Sequence, residues 1–219
     1  MIGNDVVDLG DCETRAGAQH PRFGARVFAP CERRALEGGR SGQGLRWILW
    51  AAKESAFKVA RRDDPTTVFA PSRFVVELDR DLQGRVRHRG RNYAVQVSVN
   101  REVVHAVATR SRSGGGGVWA ACRFRAAGVS GSAGTAEGSV PGRAAREFAA
   151  SEIARLLAVS ASHLRFARRG RIPELQPSES ARSQLDSARL ASLERCLGRL
   201  AVSISHHGRF VAYACWQSP

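Results

Sequence analysis

The sequence predicts an α+β protein of two similar lobes, each a helix packed on a small antiparallel sheet. Three observations predict it. Ala51-Ala52-Lys53-Glu54 and Ala149-Ala150-Ser151-Glu152 occupy matching places in helical patterns of the two halves. Each half then closes on two apolar strands joined by a turn: Val97-Ser98-Val99-Asn100 with Val103 to Ala108, and Val202-Ser203-Ile204-Ser205 with Phe210 to Cys215. Between the halves Ser111 to Gly117 reads SRSGGGG, a flexible linker by composition. A pseudo-two-fold duplication is the simplest account, with lobes 1–112 and 118–219 and a linker 113–117.

Along the chain, Ile2 to Leu9 begins as a strand with acids at its end, and Glu32 to Glu37 and Leu45 to Ala60 are helical. Phe74 to Leu78 alternates as a strand before an Asp79–Gly84 turn. A second loose stretch, Gly128 to Gly142, is rich in Gly, Ser and Ala. Residues 143–158 and 181–200 are helical, the latter with Leu185, Leu190, Leu193 and Leu197 forming a core stripe.

Composition sets the function classes. Hydrophobic content of 43% in 219 residues is enough for a full core, and no segment reaches membrane-spanning length. The net charge of +14 attracts polyanions, but it is spread at +7 in each half, which favours a broad acidic partner over a basic arm. Recognised nucleic-acid motifs and aromatic interleaving are missing, so any nucleic-acid affinity should be weak, salt-sensitive and sequence-blind. The five cysteines form no CxxC pair, and the N-terminus carries acid where a signal peptide would be basic; both point to the cytoplasm.

Of the 34 basic residues only Lys53 and Lys58 are lysines, both in Trp50-Ala51-Ala52-Lys53-Glu54-Ser55-Ala56-Phe57-Lys58. Lysine is a compact point charge and arginine a planar fork, so this stretch reads as a place where a slim ammonium meets phosphate. On a helix Glu54 and Lys58 share a face and Lys53 lies round the side. The bland alternative is an exposed Glu–Lys pair. Gly3-Asn4-Asp5-Val6-Val7-Asp8 places two carboxylates at a strand end, the ligand type that Mg²⁺ takes alongside water and phosphate oxygens; a solvated strand end is its alternative. Ser203-Ile204-Ser205-His206-His207-Gly208-Arg209 holds hydroxyl, ring N–H and backbone donors suited to phosphate, and the residues alone leave a plain surface turn equally open. A Ser-His catalytic pair fails there, because strand neighbours point to opposite faces. Arg165, Arg168, Arg169 and Arg171 around Gly170 read as a solvated charge run.

Together these segments resemble the 4′-phosphopantetheinyl transferase superfamily. Gly3-Asn4-Asp5 is similar to the opening Gly-x-Asp motif, Arg26-Val27-Phe28-Ala29-Pro30-Cys31-Glu32 to Arg-x-Phe-(Ser/Thr)-x-x-Glu, and Trp50 to Lys58 to Trp-x-x-Lys-Glu-(Ser/Ala)-x-x-Lys. Gly170-Arg171-Ile172-Pro173 resembles the Gly-Lys-Pro segment, and Val202 to His206 the Ser-x-Ser-His strand. The order is unusual: larger two-lobed members place Gly-Lys-Pro and Ser-His first. The chain looks like two short holo-acyl-carrier-protein synthase units fused, with Asn100 where Ser-His would continue in the first and Ser151-Glu152 without lysines in the second.

The resemblance implies transfer of 4′-phosphopantetheine from coenzyme A to a serine of an acidic apo carrier protein, releasing adenosine 3′,5′-bisphosphate. It implies Mg²⁺ on Asp5 and Glu54, with Asp8 as a further candidate, and Glu54 as base with Lys58 on the phosphates. Lys58, Arg171, Ser205 and His206 would bind coenzyme A. One composite site between the lobes would make a monomer sufficient. Val7 stands where many two-lobed members have a third acid, and Arg171 replaces the usual lysine. The competing expectation is a non-catalytic relative that binds coenzyme A or carrier protein.

Overall fold

The computed structural model describes residues 1–37, 42–110, 117–125, 140–169 and 172–218. The expected linker at 113–116, most of the loose stretch from Gly128, and Arg171 lie outside the described residues. The first lobe holds β1 (Ile2–Asp8), α1 (Phe23–Val27), α2 (Pro30–Glu37), α3 (Gly42–Asp63), β2 (Val75–Leu78), β3 (Gln83–His88), β4 (Arg91–Val99) and β5 (Val103–Thr109). The second holds β6 (Val118–Phe124), α4 (Val140–Leu156), β7 (Leu164–Arg169), β8 (Ile172–Pro177), α5 (Glu179–Gln184), α6 (Ser187–Gly198), β9 (Leu200–His207) and β10 (Phe210–Gln217). The fold is α+β, with helices on small antiparallel sheets.

The five-stranded sheet runs β1-β5-β4-β3-β2, the three-stranded sheet β6-β10-β9, and β7-β8 pair separately. In both larger sheets the first strand of the lobe lies beside its last, and the penultimate strand comes next. Helix α3 buries Ile48, Ala52, Ala56 and Val59 against the sheet residues Val86, Val95 and Val104, each a one-sided apolar contribution at helical or strand spacing. Helix α4 does the same with Phe148, Ala149 and Ile153 against Val202, Val211 and Tyr213. Each fully buried Val, Ile or Phe side chain among these stabilises by about 1.5–3 kcal/mol.

The expected single helix over 181–200 is two helices and the start of a strand. Leu185 adopts extended backbone (φ −95°, ψ 141°), and Asp186 then caps α6 by accepting the Arg189 N–H. The leucine stripe is core: Leu193 and Leu197 are buried, with Leu185 and Leu190 packed against the same cluster. The charge run at 165–169 lies on strand β7, paired with β8 from Leu164–Pro177 to Arg169–Ile172. Between the lobes sits a third, small apolar cluster of Val6, Val103, Phe210 and Ala212. Among the described residues no helix is long and apolar enough to cross a membrane.

A candidate active site at the lobe seam

Strand β1 serves two masters. Successive side chains point to opposite faces, so Gly3, Asp5 and Val7 meet α3 while Asn4, Val6 and Asp8 meet the second lobe. Gly3 explains the close approach to α3. A Cβ there would stand 2.2 Å from the Ser55 carbonyl oxygen and 3.0 Å from Lys58 Cβ, so any larger residue would push the strand away. The approach brings Asp5 onto the Glu54–Lys58 face of the helix. Lys58 Nζ donates to Asp5 Oδ1 at 3.0 Å and to the Asn4 carbonyl at 2.7 Å. Burial, and then the charge of Asp5, push the Glu54 carboxyl up to about 7, with Lys58 opposing. Two partly buried carboxylates therefore lie close enough to repel, with the ammonium bonded to Asp5, and a further cation would relieve their repulsion. Oxygen donors of this kind suit a hard divalent ion such as Mg²⁺.

The second lobe covers the edge of β1 with side chains of β9. Ser203 Oγ accepts the Asn4 backbone N–H at 3.0 Å, Ser205 Oγ accepts from Asn4 Nδ2 at 3.0 Å, and His207 Nδ1 accepts the Asp8 backbone N–H at 3.1 Å. Residues 203, 205 and 207 thus share one face of β9, and His206 stands exposed on the other. Partial burial, then the positive charges of Lys58, Arg125 and Arg146, lower the His206 pKa below its usual value. These cationic groups come from helix α3, the residue after β6 and helix α4. Arg62 adds one more tie across the seam, donating to the Val202 carbonyl; burial lowers its pKa to about 10.

Residues 1–108 match the model of the 4′-phosphopantetheinyl transferase superfamily. The chain carries a domain of that superfamily. No curated protein matches it. The matched region contains β1 and α3 and so the whole Asp5–Glu54–Lys58 centre. The match indicates a transferase of the phosphopantetheinyl kind, a family that uses coenzyme A as substrate.

Several expected roles in this phosphopantetheinyl transferase domain and its partner lobe change. Asp8 does not reach Asp5 and Glu54, because it lies three positions along the strand and on the opposite face. Its buried carboxylate accepts from Arg209 Nε (2.8 Å), Nη2 (2.7 Å) and backbone N (2.9 Å) and from the Gly10 N–H (2.8 Å). Arg209 chiefly holds its pKa down to about 2. Gly208, with φ +51°, makes that turn possible: a Cβ there would also stand 2.5 Å from Asp8 Oδ2. Ser205, expected on the nucleotide phosphates with His206, is buried in the seam instead. Lys53 does not meet phosphate either. It is fully buried, bonded to Glu32 Oε1 (2.9 Å) and to the carbonyls of Pro71 (3.1 Å) and Phe74, and Glu32 in turn accepts the N–H groups of Ala29 (2.7 Å) and Val76 (2.8 Å). The two lysines of one signature thus divide between core and site.

Sequence reasoning missed three groups. Arg125 and Arg146 carried no signal among so many arginines, whereas Asn4, a polar residue in an otherwise buried strand, did. Asp11, Glu13 and His207 have ligand atoms within 4.8 Å of one another, but they make a poor metal site. His207 Nδ1 accepts a backbone N–H, so the neutral ring carries its proton on Nε2, the atom that faces Glu13 at 4.0 Å.

Proposed function

We propose that this protein moves 4′-phosphopantetheine from coenzyme A to a serine hydroxyl of an acidic apo carrier protein, with a divalent cation on Asp5 and Glu54. The convergence of these two carboxylates with Lys58, beside the exposed His206, carries the reading. The serine oxygen attacks the phosphorus nearer the pantetheine arm, the bond to the bridging oxygen of the pyrophosphate breaks, and adenosine 3′,5′-bisphosphate leaves. Lys58 neutralises phosphate oxygens as the bond breaks, and its two hydrogen bonds fix its ammonium before substrate arrives. His206 and the cations around it face the nucleotide phosphates. The serine's proton passes to Glu54, directly or through a water. Bound Mg²⁺ would supply charge neutralisation at the pyrophosphate.

A cavity of about 570 Å³ lined by Phe23, Trp47, Trp50, Gln19, Glu13 and His207 lies against α3, with Trp50 one helical turn before Glu54, and its aromatic wall suits a pantetheine arm. The +14 surface would speed encounter with an acidic carrier. The repeated strand order of the two sheets supports reading the lobes as copies, and a single chain then holds both sides of the site. Intact-mass analysis of an apo carrier protein incubated with this protein, coenzyme A and Mg²⁺ tests the proposal. A gain of one phosphopantetheinyl group, lost with Glu54→Ala or with chelator, is expected. Tight coenzyme A binding with no gain on several unrelated carriers would replace it with the non-catalytic reading.

A further inference from the structure

We propose that Asn4 is a positioning residue that sets the register of β9 against β1 and so places His206 opposite Lys58. The inference rests on the proposed coenzyme A site and deepens it. Asn4 is fully buried, and its bonds reach both β9 and the Lys58 ammonium. Its N–H goes to Ser203 and its amide nitrogen to Ser205, both on β9; its carbonyl holds Lys58. The same amide nitrogen lies 3.2 Å from His105 Nε2, a ring whose pKa burial lowers to about 4, which leaves it a neutral partner at physiological pH.

The other directional ties across the seam lie towards the ends of β9: Arg62 on the Val202 carbonyl, and the Asp8 N–H on His207 beside the Arg209–Asp8 clamp. Val6, Val103, Phe210 and Ala212 make an apolar contact, which is non-directional. A slip of β9 by one two-residue step keeps the same faces inward yet carries His206 about 7 Å along the strand. At the middle of β9 two directional bonds from Asn4, its backbone N–H to Ser203 and its side-chain amide to Ser205, oppose that slip. The amide is also a weak stabiliser, since its buried oxygen has no hydrogen-bond partner among the described residues. An apolar side chain would fill the place at less cost. What the amide supplies is alignment.

The test is a double-mutant cycle between Asn4→Ala and His206→Ala, read as coenzyme A affinity by calorimetry, with thermal unfolding of each variant alongside. In the native background His206→Ala should weaken binding about tenfold, the order expected for one hydrogen bond to a charged group. In the Asn4→Ala background it should change affinity by clearly less, because the imidazole is then held only by the remaining ties of β9. Equal losses in both backgrounds would overturn the proposal, since a merely structural Asn4 lowers stability without coupling to His206. Ser205→Ala cuts the same tie from the other strand and serves as the second variant should Asn4→Ala not fold. A ligand-free readout separates the two levels of inference. The His206 imidazole NMR shift should respond to Lys58→Met in the native protein and clearly less in the Asn4 or Ser205 variant. That pattern without coenzyme A binding would sink the transferase reading and leave the positioning role standing; an unchanged response in the variants would sink the positioning role itself.

Discussion

Glu54→Gln isolates the electrostatic tension at the centre of the site. Burial and the neighbouring Asp5 raise the Glu54 carboxyl from 4.5 to about 7. Glutamine keeps the shape and the neutral form. Because the folded-state pKa lies above the unfolded one, the native protein holds this proton more tightly than the unfolded chain. The resulting stability is fully present below 4.5 and is lost as pH rises through about 7. The whole shift corresponds to about 3 kcal/mol, of which about 2 kcal/mol is lost between pH 5.5 and 8.5. For a chain of 219 residues that is about 4–8 °C in melting temperature. Both proteins would be melted at the two pH values in chelator. The melting temperature of Glu54→Gln minus that of the native protein should grow by this amount towards pH 8.5, and taking the difference removes the other titrating groups. Mg²⁺ at pH 8.5 should then raise the native melting temperature and leave that of the variant almost unmoved. Parallel pH profiles for the two proteins would refute the argument.

The clamp on the other face of β1 has the opposite pH signature. Arg209 depresses the Asp8 pKa from 3.8 to about 2, so its stability is present above 3.8 and lost as pH falls through about 2. Asp8→Asn should cost about 2 kcal/mol at neutral pH in urea unfolding, and that gap should close on acidification through this window. Lys53→Met leaves the buried Glu32 carboxylate unpaired and should cost about 3–5 kcal/mol of unfolding free energy. Lys58→Met should instead abolish transfer in the carrier-mass assay while its unfolding midpoint stays far closer to native, because the Lys58–Asp5 pair is only partly buried.

The helices and closing hairpins were legible because their signals are periodic: α3 and α4 show helical spacing, and β4, β5, β9 and β10 alternate or run apolar. The break at Leu185–Asp186 was not, since a leucine stripe continues across it and only the cap of Asp186 betrays the restart. Strand β7 was hidden because half of its residues are arginines, a composition that reads as a solvated charge run. In the site, the Asp5–Glu54–Lys58 centre follows from helical spacing and a glycine-led strand. The destiny of Lys53 does not, for nothing near it in sequence announces that Glu32 and the Pro71 and Phe74 carbonyls will surround it. Long-range partners of this kind decide which of two like residues is structural.

Strand parity accounts for most of what remained. On β1 the odd positions meet α3 and its charged centre, and the even positions meet the other lobe. On β9 Ser203, Ser205 and His207 bind β1, while Val202 and Ile204 fill the second core and His206 is left facing outward. A period of two therefore assigns docking and chemistry to alternate residues of the same short segment. It also explains why Asp5 and Asp8, though close in sequence, meet different partners: an odd spacing sends them to opposite faces, Asp5 to Lys58 and Asp8 to Arg209. The second carboxylate has to come from another element, and the close contact that Gly3 permits is what lets α3 deliver Glu54.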